Sequence, residues 1–135
     1  MMTAIAVGLY KMFVMVYFGV TATWSAFPDI SGRCPEWEAT MQLHGLDAEV
    51  FSPIMWRESR CQTWAHNDTD PYDGSFGLLQ INSIHLDDMR LHPDKWQGVG
   101  RCQVKTTGDL LVGWRNICFA TYLLERAGNL DPWAM

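Results

Sequence analysis

Glu58 is the only acid in the run Met55-Trp56-Arg57-Glu58-Ser59-Arg60, with Trp64 following shortly after. The residues before it read as a helix, so Glu58 falls in a last turn, where the negative end of the helix dipole disfavours a carboxylate. Apolar neighbours that strip away water act in the same direction, and together the two effects are expected to raise its pKa. A carboxyl that stays protonated near neutral pH can act as a general acid. Glycosidic bonds need such a donor, because the leaving oxygen is a poor base. The plainer alternative is a solvated glutamate paired with Arg57 or Arg60, since most helical glutamates lie on the surface.

The residues after Glu58 could complete or refuse that chemistry. Asp68, Asp70 and Asp73 supply carboxylates in a polar loop, and a glycine-rich run follows, Gly74-Ser75-Phe76-Gly77-Leu78-Leu79-Gln80-Ile81-Asn82-Ser83. Each aspartate also fits ordinary turn chemistry. Counted from Asp68, the fifth, sixth and twelfth places of an EF-hand loop hold Tyr72, Asp73 and Leu79, so that motif fails. No metal and no cofactor is expected. Trp64 is the best groove candidate among the tryptophans, and Trp37, Trp56, Trp96, Trp114 and Trp133 read as core. His66 could touch substrate; like His44, His85 and His92, it otherwise reads as a surface histidine. Neither a Ser/His/Asp nor a Cys/His constellation is legible.

Three segments in order, Glu58-Ser59, Gly77-Leu78-Leu79-Gln80, and Asn116-Ile117 followed by Tyr122-Leu123, resemble the lysozyme-like superfamily. The nearest patterns are the catalytic domain of soluble lytic transglycosylases and related phage lysozymes. The run from Gly74 to Ser83 also looks like the corresponding part of animal-type lysozymes. The resemblance spans Cys34 to Trp133; each motif alone is weak, and three in order are strong. It implies an α+β, predominantly helical, two-lobed single domain with a small β-hairpin region and a central groove. It implies Glu58 as catalytic acid, then base, on the β-1,4 bond from N-acetylmuramic acid to N-acetylglucosamine in peptidoglycan. Ser59, Trp64, Gly77, Gln80, Asn82 and Tyr122 would then bind or orient the glycan strand. For Gln80 and Asn82 the alternative is loop scaffolding through side-chain to backbone hydrogen bonds. For Tyr122 it is core packing with a satisfied hydroxyl.

A lysozyme that hydrolyses with water commonly uses a second carboxylate. A lytic transglycosylase does not, because the substrate's own 6-hydroxyl attacks and leaves a 1,6-anhydro ring. Under the resemblance, Ser75 stands where animal-type lysozymes carry the second acid, and Asp73 is the nearest substitute. This favours the transglycosylase. A muramidase is the same-class alternative. An inactive lysozyme-like glycan-binding protein or a virion structural component are alternatives of another class.

The elements that must position these residues are only partly legible. Pro35 suits a first helical position and Glu36 and Glu38 suit a first turn, so a helix is expected from Cys34 to Gly45. Trp37, Met41 and His44 share its face. The next helix is expected to begin at Ser52-Pro53 and to end just past Glu58. Gln62 to Ser75 reads as loop, with a tight hairpin turn at Asp73-Gly74. Ser75 to Asn82 could begin as strand, Ser83 could cap a short helix, and residues 90–108 read as loop. Trp114, Ile117, Cys118, Thr121 and Leu124 mark the clearest helix, ended by Gly128. Trp133 is expected to lie against the body.

The chain has 135 residues, of which 48% are hydrophobic, enough for one domain with a single core. Its net charge of -5 argues against nucleic acid and leaves neutral sugars open. The four cysteines are an even count without C-x-x-C spacing, so disulfides are expected over zinc. Of the three pairings, Cys34–Cys61 with Cys102–Cys118 is preferred, because each ties a loop to a nearby helix. Residues 1–26 read as an export signal, cleaved after Ala22 or Ala26, or as an uncleaved membrane anchor. Residues 27–33 read as linker and 34–135 as the domain, which is expected to act as an exported monomer.

Overall fold

The computed structural model describes residues 32–133. Residues 1–26, expected as an export signal or anchor, and most of the expected linker lie outside the described residues. Among those described, no helix is long and apolar enough to cross a membrane. The described residues form an α+β, mostly helical fold, with four α-helices and a small three-stranded antiparallel sheet.

Helix α1 runs Pro35–Leu43, with Pro35 at its start and Glu36 and Glu38 in its first turn. Gly45, at φ 82°, ends it. The Gly45 N–H bonds the Gln42 carbonyl at 3.1 Å and the Leu46 N–H reaches back to Met41 at 2.8 Å. This left-handed close satisfies two carbonyls that the helix would otherwise leave open.

Helix α2 runs Ala48–Ser59, beginning before the expected Ser52-Pro53. Asp47 is the true cap, its Oδ1 accepting the Glu49 N–H at 3.0 Å. Ser52 is buried inside the helix, and its Oγ accepts the Cys34 N–H at 2.7 Å, clasping α1 to α2. Pro53 deprives the Glu49 carbonyl of its helical donor, but both residues are exposed and water can serve. The helix ends on two left-handed residues, Arg60 at φ 55° and Cys61 at φ 65°. Cys61 is bonded to Cys34, which ties this corner to the start of α1.

The sheet is built from β1 (His66–Asn67), β2 (Ser75–Phe76) and β3 (Ile81–Asn82), in that order. Asn67 pairs with Ser75, so residues 68–74 form one loop and the expected two-residue turn at Asp73-Gly74 does not occur. A turn from Pro71 to Gly74, closed by the Gly74 N–H on the Pro71 carbonyl at 3.2 Å, lies at its end. The expected strand from Ser75 to Asn82 is divided between β2 and β3 by a turn at Gly77–Gln80.

Helix α3 spans Ile84–Leu91, and the Ser83 side chain does not cap it. Asn82 Oδ1 takes the Ile84 N–H at 3.0 Å instead, and Ser83 Oγ accepts the Asp73 N–H at 3.0 Å. The stretch read as loop from 90 to 108 contains two short 3-10 turns, Pro93–Lys95 and Val99–Cys102. A third begins at Thr107, capped by Thr106 in a reciprocal pair of bonds with Asp109.

Helix α4 runs Gly113–Ala127 and ends at Gly128. A side chain at Gly113 would collide with the Trp37 ring, so α1 and α4 approach through a glycine. Cys102 and Cys118 join α4 to the 3-10 turn at Val99–Cys102. One core holds Met41, Phe51, Ile54 and Met55 from the first two helices with Ile117, Phe119 and Leu123 from α4. Leu78, Leu79 and Ile81 enter the same core from the glycine-rich run. Trp133 is buried edge-on to Phe51, with ring centroids 4.9 Å apart.

Candidate active site

Glu58 lies in the last turn of α2 with 23% of its side chain exposed. The apolar setting expected for it is only partly present. Met55 is fully buried in the core, Trp56 is half-buried, and Trp64 is 68% exposed. The charged alternative is realised with Arg57, whose Nη2 donates to Glu58 Oε2 at 2.8 Å. The same Nη2 donates to the Trp133 carbonyl. Arg60 turns away, its Nη1 on the Trp56 carbonyl at 2.7 Å and its guanidinium 4.9 Å from the Trp56 ring centre. Ser59, read as an aid in orienting Glu58, bonds back to the Met55 carbonyl at 3.2 Å and is buried.

The glycine-rich turn is held from α4. Asn116 has no exposed surface. Its Oδ1 accepts the Leu79 N–H at 2.9 Å, and its Nδ2 donates to the Phe76 and Leu110 carbonyls at 2.9 and 2.8 Å. Gly77, at φ 80°, fits under this clasp because any Cβ there would overlap the Leu110 carbonyl and the Asn116 amide. The resemblance used Asn116 only as a marker, and it proves to be the residue that sets the turn. A buried asparagine on an apolar helix face was a usable signal, since such a group must find partners.

Two contacts bring the Glu58 helix end and this turn together. The Ala65 carbonyl, reached by two tight turns after Ser59, accepts the Gly77 N–H at 2.7 Å and Gln80 Nε2 at 3.2 Å. The Trp133 indole N–H donates to the Leu79 carbonyl at 2.9 Å, while the Trp133 carbonyl receives Arg57. Glu58, Arg57, Trp133 and the Leu79-Gln80 turn are thus linked residue to residue.

Comparison of the chain with protein-family models, with curated proteins and with solved structures finds no match. The site therefore rests on its own geometry.

Gln80 sits at φ 46°, and its amide nitrogen bonds both Ala65 and Gly77 carbonyls, the latter at 3.0 Å. Asn82 Nδ2 donates to the Pro71 carbonyl at 3.0 Å and to Ser75 Oγ at 3.3 Å. Both side chains scaffold the sheet and its loops. Tyr122 is engaged away from this cluster, its hydroxyl accepting Arg101 Nε at 2.6 Å and its ring close to Gly98. Ser75, expected at the place of a second acid, is buried. Asp73 is exposed, with its backbone held by Ser83 and its carbonyl 3.3 Å from His66 Nε2.

His44 and His85 are not the surface residues expected. His44 stacks on Trp114 with centroids 6.2 Å apart, and burial, with Arg101 nearby, holds its pKa below the usual histidine value. Burial lowers His85 as well. Among the described residues, no group of three or more His, Cys, Asp or Glu could hold a metal ion. The sequence reading missed Tyr72, a tyrosine at φ 65° with 70% of its surface exposed.

Proposed function

We propose that this chain cleaves the β-1,4 bond between N-acetylmuramic acid and N-acetylglucosamine in peptidoglycan as a lytic transglycosylase, with Glu58 as its single acid and base. The observation that carries this reading is the joining of the Glu58 helix end to the Gly77–Gln80 turn through the Ala65 carbonyl. Asn116 adds α4 to this connection, so the three segments on which the lysozyme-like resemblance depends are linked by hydrogen bonds. The one-acid route is supported by Ser75, which is buried and uncharged, and by Asp73, which is exposed in a loop.

The chemistry would run in two proton movements. Glu58 gives its proton to the glycosidic oxygen as the bond to the muramic C1 breaks. The resulting carboxylate takes the proton of the muramic 6-hydroxyl as that oxygen attacks C1. The anhydro ring closes, no water is consumed, and Glu58 ends protonated as it began. Arg57 must let go of Glu58 Oε2 for this cycle to turn, and the Trp133 carbonyl offers the same nitrogen a second partner.

The Arg57–Glu58 ion pair and the scaffolding use of Gln80 and Asn82 favour a second reading, a glycan-binding protein without turnover. Digestion of purified peptidoglycan by the full chain beside Glu58→Gln, read by mass spectrometry, separates the cases. Anhydromuramic ends that vanish in the variant support the transglycosylase. Reducing ends point to a muramidase. Intact peptidoglycan from a folded, oxidised sample supports the binding protein.

A further inference from the structure

Among the described residues, the Trp, Tyr and Phe rings are packed at least in part, with two exceptions. Trp64 is 68% exposed and Tyr72 is 70% exposed. Both lie in the segment between Glu58 and Gln80, one just before β1 and the other in the loop that leaves it. Tyr72 also holds a left-handed backbone, φ 65°, which is unfavourable for a bulky side chain and is kept only where the surroundings determine it.

Those surroundings are specific. The Pro71 carbonyl before Tyr72 accepts both Asn82 Nδ2 and the Gly74 N–H. The Asp73 N–H after it donates to Ser83 Oγ, and the Gly74 carbonyl accepts the Ser83 N–H at 3.0 Å. The backbone on each side of the ring is therefore pinned to β3 and the start of α3, and only the two side-chain torsions of Tyr72 remain to be fixed by a ligand. Its neighbours in the loop are Asp68, Thr69, Asp70 and Asp73. A single flat ring among hydrogen-bonding groups does not offer the contiguous apolar area a protein partner needs. It does match a pyranose, which presents a face of C–H groups for the ring and a rim of hydroxyls for the polar neighbours.

We propose that Tyr72 is a sugar-stacking residue that, with Trp64, engages a β-linked glycan along the small sheet, away from the bond being cleaved. This rests on the peptidoglycan reading above and deepens it. Trp64 precedes β1 and Tyr72 lies in the loop that follows it, and the ligand class proposed for the two rings is the polymeric strand of the peptidoglycan reading. Tyr72 takes no part in proton transfer, and its role is affinity for the strand.

Binding of full-length Glu58→Gln to insoluble peptidoglycan, measured by co-sedimentation over a concentration range, tests this apart from catalysis. Adding Tyr72→Ala should weaken binding about tenfold, the scale of a lost aromatic contact. Adding Tyr72→Phe should leave it close to the parent. Adding Tyr72→Gly, which accepts a left-handed backbone freely, should melt no lower than the parent yet bind as weakly as the alanine variant. Equal binding by the parent and Tyr72→Ala overturns the proposal, as does failure of the parent to bind peptidoglycan at all. Wild-type digestion is scored separately. Cleavage with no effect of Tyr72 sinks this inference alone, and Tyr72-dependent binding without cleavage sinks the enzyme reading alone.

Discussion

Asn116 and Leu79 are joined by a buried hydrogen bond, Oδ1 to N–H at 2.9 Å, across the interface between α4 and the glycine-rich turn. The same amide serves two carbonyls with its nitrogen, so one side chain satisfies three backbone groups. Buried polar groups left without partners cost about 1–3 kcal/mol each. Asn116→Leu should therefore destabilise the fold by on the order of 3 kcal/mol or more, read as a drop in the denaturant midpoint. A loss well below 1 kcal/mol would mean that the turn is held by its apolar residues instead.

Asp73 is the nearest candidate for the second carboxylate of a two-acid mechanism. Under the one-acid mechanism Asp73→Asn keeps most of the peptidoglycan-cleaving activity, while Glu58→Gln loses roughly a hundredfold or more, the usual contribution of a general acid. Steady-state release of soluble muropeptides compares the two directly. An Asp73→Asn loss as deep as that of Glu58→Gln would establish the hydrolytic, two-acid route.

Acid should unfold this domain through a small set of carboxylates. Asp88 is held at about 2 in place of the usual 3.8, first by hydrogen bonds from Arg126 and then by the Trp96 indole, against an opposing burial effect. Glu38 is lowered by hydrogen bonds from Ser52 and Arg33, and Asp109 by the Lys105 and Thr106 backbone N–H groups. A carboxylate depressed in the folded state gives stability that is complete above its unfolded pKa and is lost as pH falls through its folded one. For Asp88 the window runs from about 4 down to about 2. Melting temperature should fall across it, and the fall should be shallower in Asp88→Asn, which starts from a lower plateau. His44 and His85, lowered by burial, add an earlier decline as pH drops below the usual histidine value of 6.5. Parallel curves for the parent and Asp88→Asn from pH 5 to pH 2 would remove Asp88 from the account.

Local signals carried the helices well where they were self-contained. Pro35 and Gly45 bracket α1, Gly128 ends α4, and the last turn of α2 falls at Glu58. The errors came where a residue with good local credentials was taken by a distant partner. Ser52 looks like a helix cap, but its hydroxyl serves Cys34. Ser83 looks like one too, but it holds Asp73, and the cap passes to Asn82. Asp73-Gly74 looks like a hairpin turn, but the register Asn67 to Ser75 leaves a longer loop. At the candidate site, Glu58 and the glycine-rich run were visible as residue types. The Arg57 bond to Trp133 and the Asn116 bond to Leu79 cross 76 and 37 positions and leave no local pattern to read.

The bond between Cys34 and Cys61 closes the chain into a covalent ring that contains all of α1 and α2. A peptide bond broken at Gly45 would leave both pieces attached, and Glu58 would still end the same helix. Tension applied to the chain ahead of Cys34 would pass through the sulfurs to Cys61 and bypass both helices. The covalent path for such a pull runs from Cys34 straight to the chain beyond Glu58, outside the helix that carries it.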